Sequence, residues 1–206
     1  MKVKIQRRGF NVYFTADIHY SHKNIVKGES TWGSDEACRN FEDREEMNDT
    51  IIKNFNKTII NPNDILVILG DIAFDDKSTE EFLTRLNCKN LYGCYGNHDK
   101  PLRMNKSLQS HFRQLSDVGS ITVDETMIFV SHYAHRVWPR SHHGTVHLYG
   151  HSHNTLLDLP DSRSMDVGVD TNNFFPYSFE DIMERMSKKI FTPMTREKGT
   201  KNYHNS

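Results

Sequence analysis

Ile65-Leu66-Val67-Ile68-Leu69-Gly70-Asp71 sets five apolar side chains in a row, then turns on a glycine into a carboxylate. A run that short, apolar on both faces and rich in branched residues reads as a strand buried between layers, as in a parallel sheet covered by helices. Four other segments repeat the arrangement. Residues 11–16 run into Asp17, 91–95 into Gly96-Asn97, 127–130 toward His132, and 146–149 into Gly150-His151. Ligands in open α/β sheets bind at the carboxyl ends of strands. Here those ends carry Asp17 with His19, then Asp71, then Asn97-His98-Asp99, then His132, and finally His151 with His153. Singly, each has a plain reading as a turn, a helix cap or a satisfied buried histidine. Five such clusters at five strand ends point instead to a set of hard and borderline metal ligands without a thiolate, which suits paired divalent cations holding hydroxide and phosphate.

The order Asp17-x-His19, Gly70-Asp71, Gly96-Asn97-His98-Asp99, His132, Gly150-His151-x-His153 resembles the calcineurin-like metallophosphoesterase superfamily over about residues 10–182. Residues 14–25 and 147–153, followed by Val167-Gly168-Val169-Asp170, resemble a small bacterial and phage branch of it, which brings no established substrate. The resemblance implies an α/β, four-layer sandwich: two mixed β-sheets packed face to face and flanked by helices. It implies one phosphoesterase domain over residues 1–191, with a polar tail at 192–206. It further implies that Asp17, His19, Asp71 and His153 hold one cation and Asp71, Asn97, His132 and His151 the other. Sharing Asp71 would offset repulsion between dications about 3.5–4 Å apart. Hydroxide formed between them near neutral pH would attack phosphorus in line. His98 resembles the family's histidine that is not a ligand, and is expected to protonate the leaving oxygen as general acid or to clamp the phosphate. Asp99 is expected either to orient His98 or to cap the turn.

The superfamily's protein phosphatases carry Gly-Asp-x-x-Asp-Arg-Gly and Gly-Asn-His-Glu. This chain has Gly70-Asp71-Ile72-Ala73-Phe74-Asp75-Asp76 and Gly96-Asn97-His98-Asp99. Phe74 stands where an Asp would pair with the catalytic histidine, which disfavours a phosphoprotein substrate. The leading expectation is a phosphodiesterase acting on a small nucleotide or organic diester. The alternatives are a phosphomonoesterase, a nuclease acting on nucleic-acid ends, and a non-catalytic metal-binding scaffold. His22, Arg136, Arg140 and Trp138 are the expected substrate contacts, within a cationic rim that also holds Lys23, His135, His142 and His143. Phe174, Phe175 and Tyr177 are expected to pack in the core.

Mixed His, Asn and carboxylate ligands suit Mn²⁺, favoured here, and equally Fe, Co, Ni or Zn. The balance of 26 basic and 27 acidic side chains argues against an extended duplex-binding surface and for a small phosphorylated substrate. Three cysteines without zinc spacing suggest reduced thiols in a cytoplasmic setting, and no apolar stretch approaches a membrane span. Apolar residues Met47, Ile51, Phe55 and Ile59 at spacing four predict a helix over 43–58. Capping boxes at Ser78-Thr79-Glu80-Glu81 and Ser178-Phe179-Glu180-Asp181 predict two more, and residues 121–130 predict a hairpin turning at Asp124-Glu125.

Overall fold

The computed structural model describes residues 1–32 and 38–191, so the expected polar tail at 192–206 lies outside the described residues. Two five-stranded mixed sheets form its centre. The first contains β2 (Val12–Thr15), β3 (Ile65–Leu69), β4 (Asn90–Cys94) and β5 (Phe112–Ser116), all parallel, with β10 (Tyr177–Ser178) added antiparallel beside β2. The second runs in the order β1 (Lys2–Ile5), β6 (Val118–Val123), β7 (Thr126–Ser131), β8 (Val146–Tyr149), β9 (Ser164–Asp166). Only the β6–β7 hairpin is antiparallel there, and Asp124 at its turn takes a left-handed φ of 53°.

Parallel neighbours require crossovers. In the first sheet these are α1 (Arg44–Thr58), α2 (Asp76–Arg85) and the short pair α3 (Lys100–Met104) and α4 (Lys106–Gln109). Alternation along β3 then sorts its side chains. Leu66 and Ile68 join Met47, Ile51, Phe55 and Phe82 of α1 and α2. Ile65, Val67 and Leu69 enter the core between the sheets, against Ile121, Ile128, Val130, Val146 and Leu148. Each such buried aliphatic side chain is worth about 1.5–3 kcal/mol relative to exposure. The final helix, α5 (Phe179–Ser187), inserts Phe179, Ile182 and Met186 into the same core.

The 43–58 helix stands as expected, with Asp43 accepting from the Glu46 N–H at its start. Ser178 and Asp181 form the capping box of α5. At α2 the expectation needs correcting: the cap is Asp75, three residues before the predicted Ser78, and it accepts from the Ser78 N–H. Strands β1, β5, β9 and β10 were not anticipated, because each is short and none is a continuous apolar run.

A buried histidine marks the outer face of the second sheet. His147 accepts the His135 backbone N–H at Nε2 (3.0 Å), and its Nδ1 lies 3.2 Å from the Phe129 carbonyl, so the neutral ring satisfies both contacts. Burial lowers its pKa from 6.5 to about 4. As pH falls from 6.5 toward 4 the unfolded chain takes up the proton first, so stability present above that window is lost across it, by up to about 3 kcal/mol. His147→Gln should flatten the wild-type fall of Tm over that range. An unchanged slope would assign the acid sensitivity elsewhere.

Candidate metal centre

Every expected ligand leaves the carboxyl end of a central strand, and the loops that carry them are tied together through their backbones. Asp17 N–H donates to the Gly70 carbonyl and His19 N–H to that of Asp71, both at 3.0 Å, continuing the β2–β3 pairing past the strand ends. Gly150 N–H donates likewise to His132 O in the second sheet, at 2.9 Å. Asp17, His19, Asp71, His151 and His153 all have φ between 45° and 68°. That left-handed conformation costs a residue with a Cβ about 1–3 kcal/mol, and such strain concentrates where side chains must be aimed. Gly96 serves close approach instead. A Cβ there would lie 2.1 Å from Asp71 Oδ1.

The side chains gather into two candidate metal-binding groups, Asp17 with His19 and His153, and Asp71 with His132 and His151. Each draws on both sheets. In the first, His19 Nε2 and His153 Nε2 face one another at 3.2 Å. His153 Nδ1 is 2.8 Å from Asp170 Oδ2, which fixes the proton on Nδ1 and leaves an Nε2 lone pair pointing at His19. In the second, His132 Nδ1 sits 2.8 Å from the Leu69 carbonyl. Its Nε2 is thereby an acceptor, yet it lies 2.9 Å from Asn97 Oδ1 and 3.3 Å from Asp71 Oδ2. Lone pairs that converge in this way are reconciled by a proton or by a cation, and the donor set fits a borderline divalent ion.

Charge tells the same story. Burial pushes the Asp17 carboxyl up to about 7, although the His153 and His132 rings and the His151 N–H draw it down. For Asp71 burial is outweighed by the hydrogen bond and charge that His132 supplies when protonated and by the His98 N–H, which hold it at about 2.

Two residues missed in the sequence support the first group. Arg39, buried, donates to both oxygens of Asp170 (2.7 and 3.0 Å) and to the carbonyls of Ile18 (2.7 Å) and Asp17 (2.6 Å). Asp170 in turn orients His153. Asp170 fell in the quoted 167–170 stretch without a role, and an isolated Arg39 in a polar segment carries no periodic signal. Beside the second group Tyr133 packs 4.7 Å from the His151 ring and donates to Asn97 Oδ1 at 3.4 Å.

His98 stands next to the groups with its ring 5.6 Å from His19 and 4.3 Å from Phe74. Asp99 does not orient it. Both Asp99 oxygens are occupied by backbone: Oδ2 accepts from Asp71 and Gly96 (2.9 and 2.7 Å), Oδ1 from Ile72 (2.9 Å). A carboxylate so engaged holds the two ligand loops together.

Of the expected substrate contacts only His22 reaches the centre, 4.4 Å from Phe74 and 5.7 Å from His19. Arg136, Arg140 and Trp138 are corrected. Trp138 is 8% exposed, its indole N–H donates to Thr145 O at the amino end of β8, and its ring packs on His147. That end of the strand is opposite the one carrying His151. Arg136 lines a separate 430 Å³ cavity with Trp138, and Arg140 precedes the turn at Ser141–His143. Tyr177 packs in the core as expected, and Phe174, half-buried, packs against the core while also walling a cavity with Arg39, His153 and Asp170.

The calcineurin-like phosphoesterase model matches residues 10–180. The chain belongs to that family. This phosphoesterase is also similar to an uncharacterised protein of Methanocaldococcus jannaschii, 28% identical over 186 residues that make up 86% of this chain and 92% of the relative. A solved protein of unknown function from Aquifex aeolicus shares its fold, with a TM-score of 0.58, 20% identity and coverage of 85% and 99% of the two chains. A novel archaeal phosphodiesterase of known structure aligns with a TM-score of 0.47 and 19% identity over 77% and 82%.

Proposed function

We propose that this phosphoesterase is a dinuclear, metal-dependent phosphodiesterase of the small bacterial and phage branch, acting in the cytoplasm as one domain over residues 1–191. Asp17, His19, Asp71 and His153 would hold one divalent cation and Asp71, Asn97, His132 and His151 the other, with Mn²⁺ as the favoured activator. Two such ions, when bound, lower the pKa of water enough to supply hydroxide near neutral pH and offset charge on the phosphoryl oxygens. The observation that carries this reading is the convergence of ring nitrogens and carboxylates from both sheets into two groups, with the neutral His132 ring presenting its Nε2 acceptor to Asn97 Oδ1 and Asp71 Oδ2.

A diester is favoured over a monoester by what surrounds His98. Its ring packs on Phe74, and Asp99 is committed to backbone donors, so no carboxylate among the described residues is placed to pair with it. An aromatic wall suits a second ester group better than the extra charge of a monoester dianion. His98 then donates its proton to the departing alkoxide.

The test is hydrolysis of aryl and alkyl phosphodiesters with added Mn²⁺, with a phosphomonoester and a phosphopeptide alongside. His98→Gln should slow release of an alkoxide by roughly 10²–10⁴-fold and release of p-nitrophenolate far less, because only the poor leaving group needs the proton. Equal losses would remove His98 as the acid. Turnover of the phosphopeptide alone would overturn the diesterase reading.

Asp170→Asn has a readout independent of turnover. A neutral amide pairs weakly with Arg39 and no longer enforces the Nδ1–H tautomer of His153. Mn²⁺ affinity at one of two sites should drop roughly 10–100-fold in a calorimetric titration. Two unchanged affinities would mean that Asp170 only braces the loop.

A further inference from the structure

Beside the first candidate group two large aromatic side chains are left in contact with solvent, Trp32 at 47% and Phe74 at 42% exposure. They line one 260 Å³ cavity together with Ile25 and His22. His19, His98 and His153 complete its wall, so the cavity abuts both the first candidate metal group and the proposed acid. Among the described residues no ammonium, guanidinium or carboxylate group lines it. The rings are set at angles to one another: Phe74 packs 4.3 Å from His98 and 4.4 Å from His22, and Trp32 meets His22 edge-on at 5.7 Å. A slot walled by aromatic and imidazole rings stacks a flat neutral ring and offers no carboxylate to an ammonium headgroup.

We infer that this slot is the leaving-group subsite, and that Trp32 and Phe74 make the enzyme selective for phosphodiesters whose departing group carries a nucleobase. The inference rests on the diesterase reading and on His98 as the acid, because His98 faces the slot and the proton must reach the oxygen that departs. Stacking also accounts for the exposure of both side chains. Closing each ring against a base removes apolar surface from water without disturbing the core.

Two measurements on the full chain test it. Wild type, Trp32→Ala and Phe74→Ala are assayed with Mn²⁺ on a dinucleoside monophosphate and on glycerophosphoethanolamine, whose ester groups are both aliphatic. The ratio of kcat/KM between these substrates should shift against the dinucleoside by roughly 5- to 100-fold in each variant, the range that loss of one base stack produces. Trp32 is exposed, so its truncation leaves the core intact. A ratio unchanged in both variants overturns the subsite even where diester hydrolysis itself is robust.

The second measurement needs no turnover. Adenosine is titrated against the protein while tryptophan fluorescence is followed. The chain has two tryptophans, and Trp138 is buried, so quenching reports Trp32. Saturable quenching that weakens at least fivefold in Phe74→Ala supports the subsite, even if the diesterase reading fails on every diester tried. Absence of saturable quenching, or quenching equal in Phe74→Ala, overturns it.

Discussion

Turnover by Asp71→Asn is expected to fall by at least about 10³-fold, since paired metals supply several kcal/mol of transition-state charge stabilisation and each 1.4 kcal/mol is a factor of ten. Asp71 Oδ2 lies 3.3 Å from His132 Nε2 and 3.7 Å from His19 Nε2, so one carboxylate reaches into both candidate groups. The amide keeps the size and nearly the shape but removes the negative charge between two cationic positions. The check is kcat/KM on an aryl phosphodiester with metal content measured in parallel. Two tightly bound ions and near wild-type turnover in Asp71→Asn would rule out the shared-carboxylate arrangement.

The largest effect on stability should come from Asp99→Ala. Its carboxylate accepts three buried backbone N–H groups from two loops, those of Asp71, Ile72 and Gly96. Stranding a buried donor costs about 1–3 kcal/mol, so the loss is about 3 kcal/mol or more. For a domain of this size each kcal/mol moves Tm by about 2–4 °C, which predicts a fall of roughly 6–12 °C. Asp99→Asn, which retains acceptor oxygen, should lose less. A shift below about 2 °C for the alanine variant, by calorimetry, would show that water or loop movement satisfies the three donors. Activity should fall with stability in both, because the Asp71 backbone is one of the groups held.

Much of this was legible beforehand, and for a physical reason. Strands such as 65–69 are buried on both faces, so they read as unbroken apolar runs, and a glycine with a polar residue at the end marks where the sheet stops. The placing of Asp17, His19, Asp71, Asn97, His132, His151 and His153 at strand ends follows from those runs, whereas the two layers and the ligand sets came with the family resemblance. Strands β1, β5, β9 and β10 do not announce themselves, since they sit at sheet edges and owe their conformation to a neighbour. The same limit hid Arg39, whose four partners come from residues 17, 18 and 170 and so exist only after folding. Trp138 misled because a tryptophan in a polar loop looks available for stacking, whereas here it serves as the lid of an otherwise uncovered sheet face. Trp32 carries no such signal, and Phe74 was read only for the Asp it replaces, because nothing local distinguishes a ring that faces a cavity from one that faces a core.

Neither half of the molecule owns a complete binding group. His19 and His153 stand 134 positions apart in the chain, and one comes from each sheet. A nascent chain released from the first 130 residues holds half a socket, and closing the rest is a distant, slow event. Ion capture therefore belongs at the end of maturation. Ions seated in both candidate groups would fasten the protein across its seam, so chelation should then loosen the junction between the sheets before it disturbs either sheet.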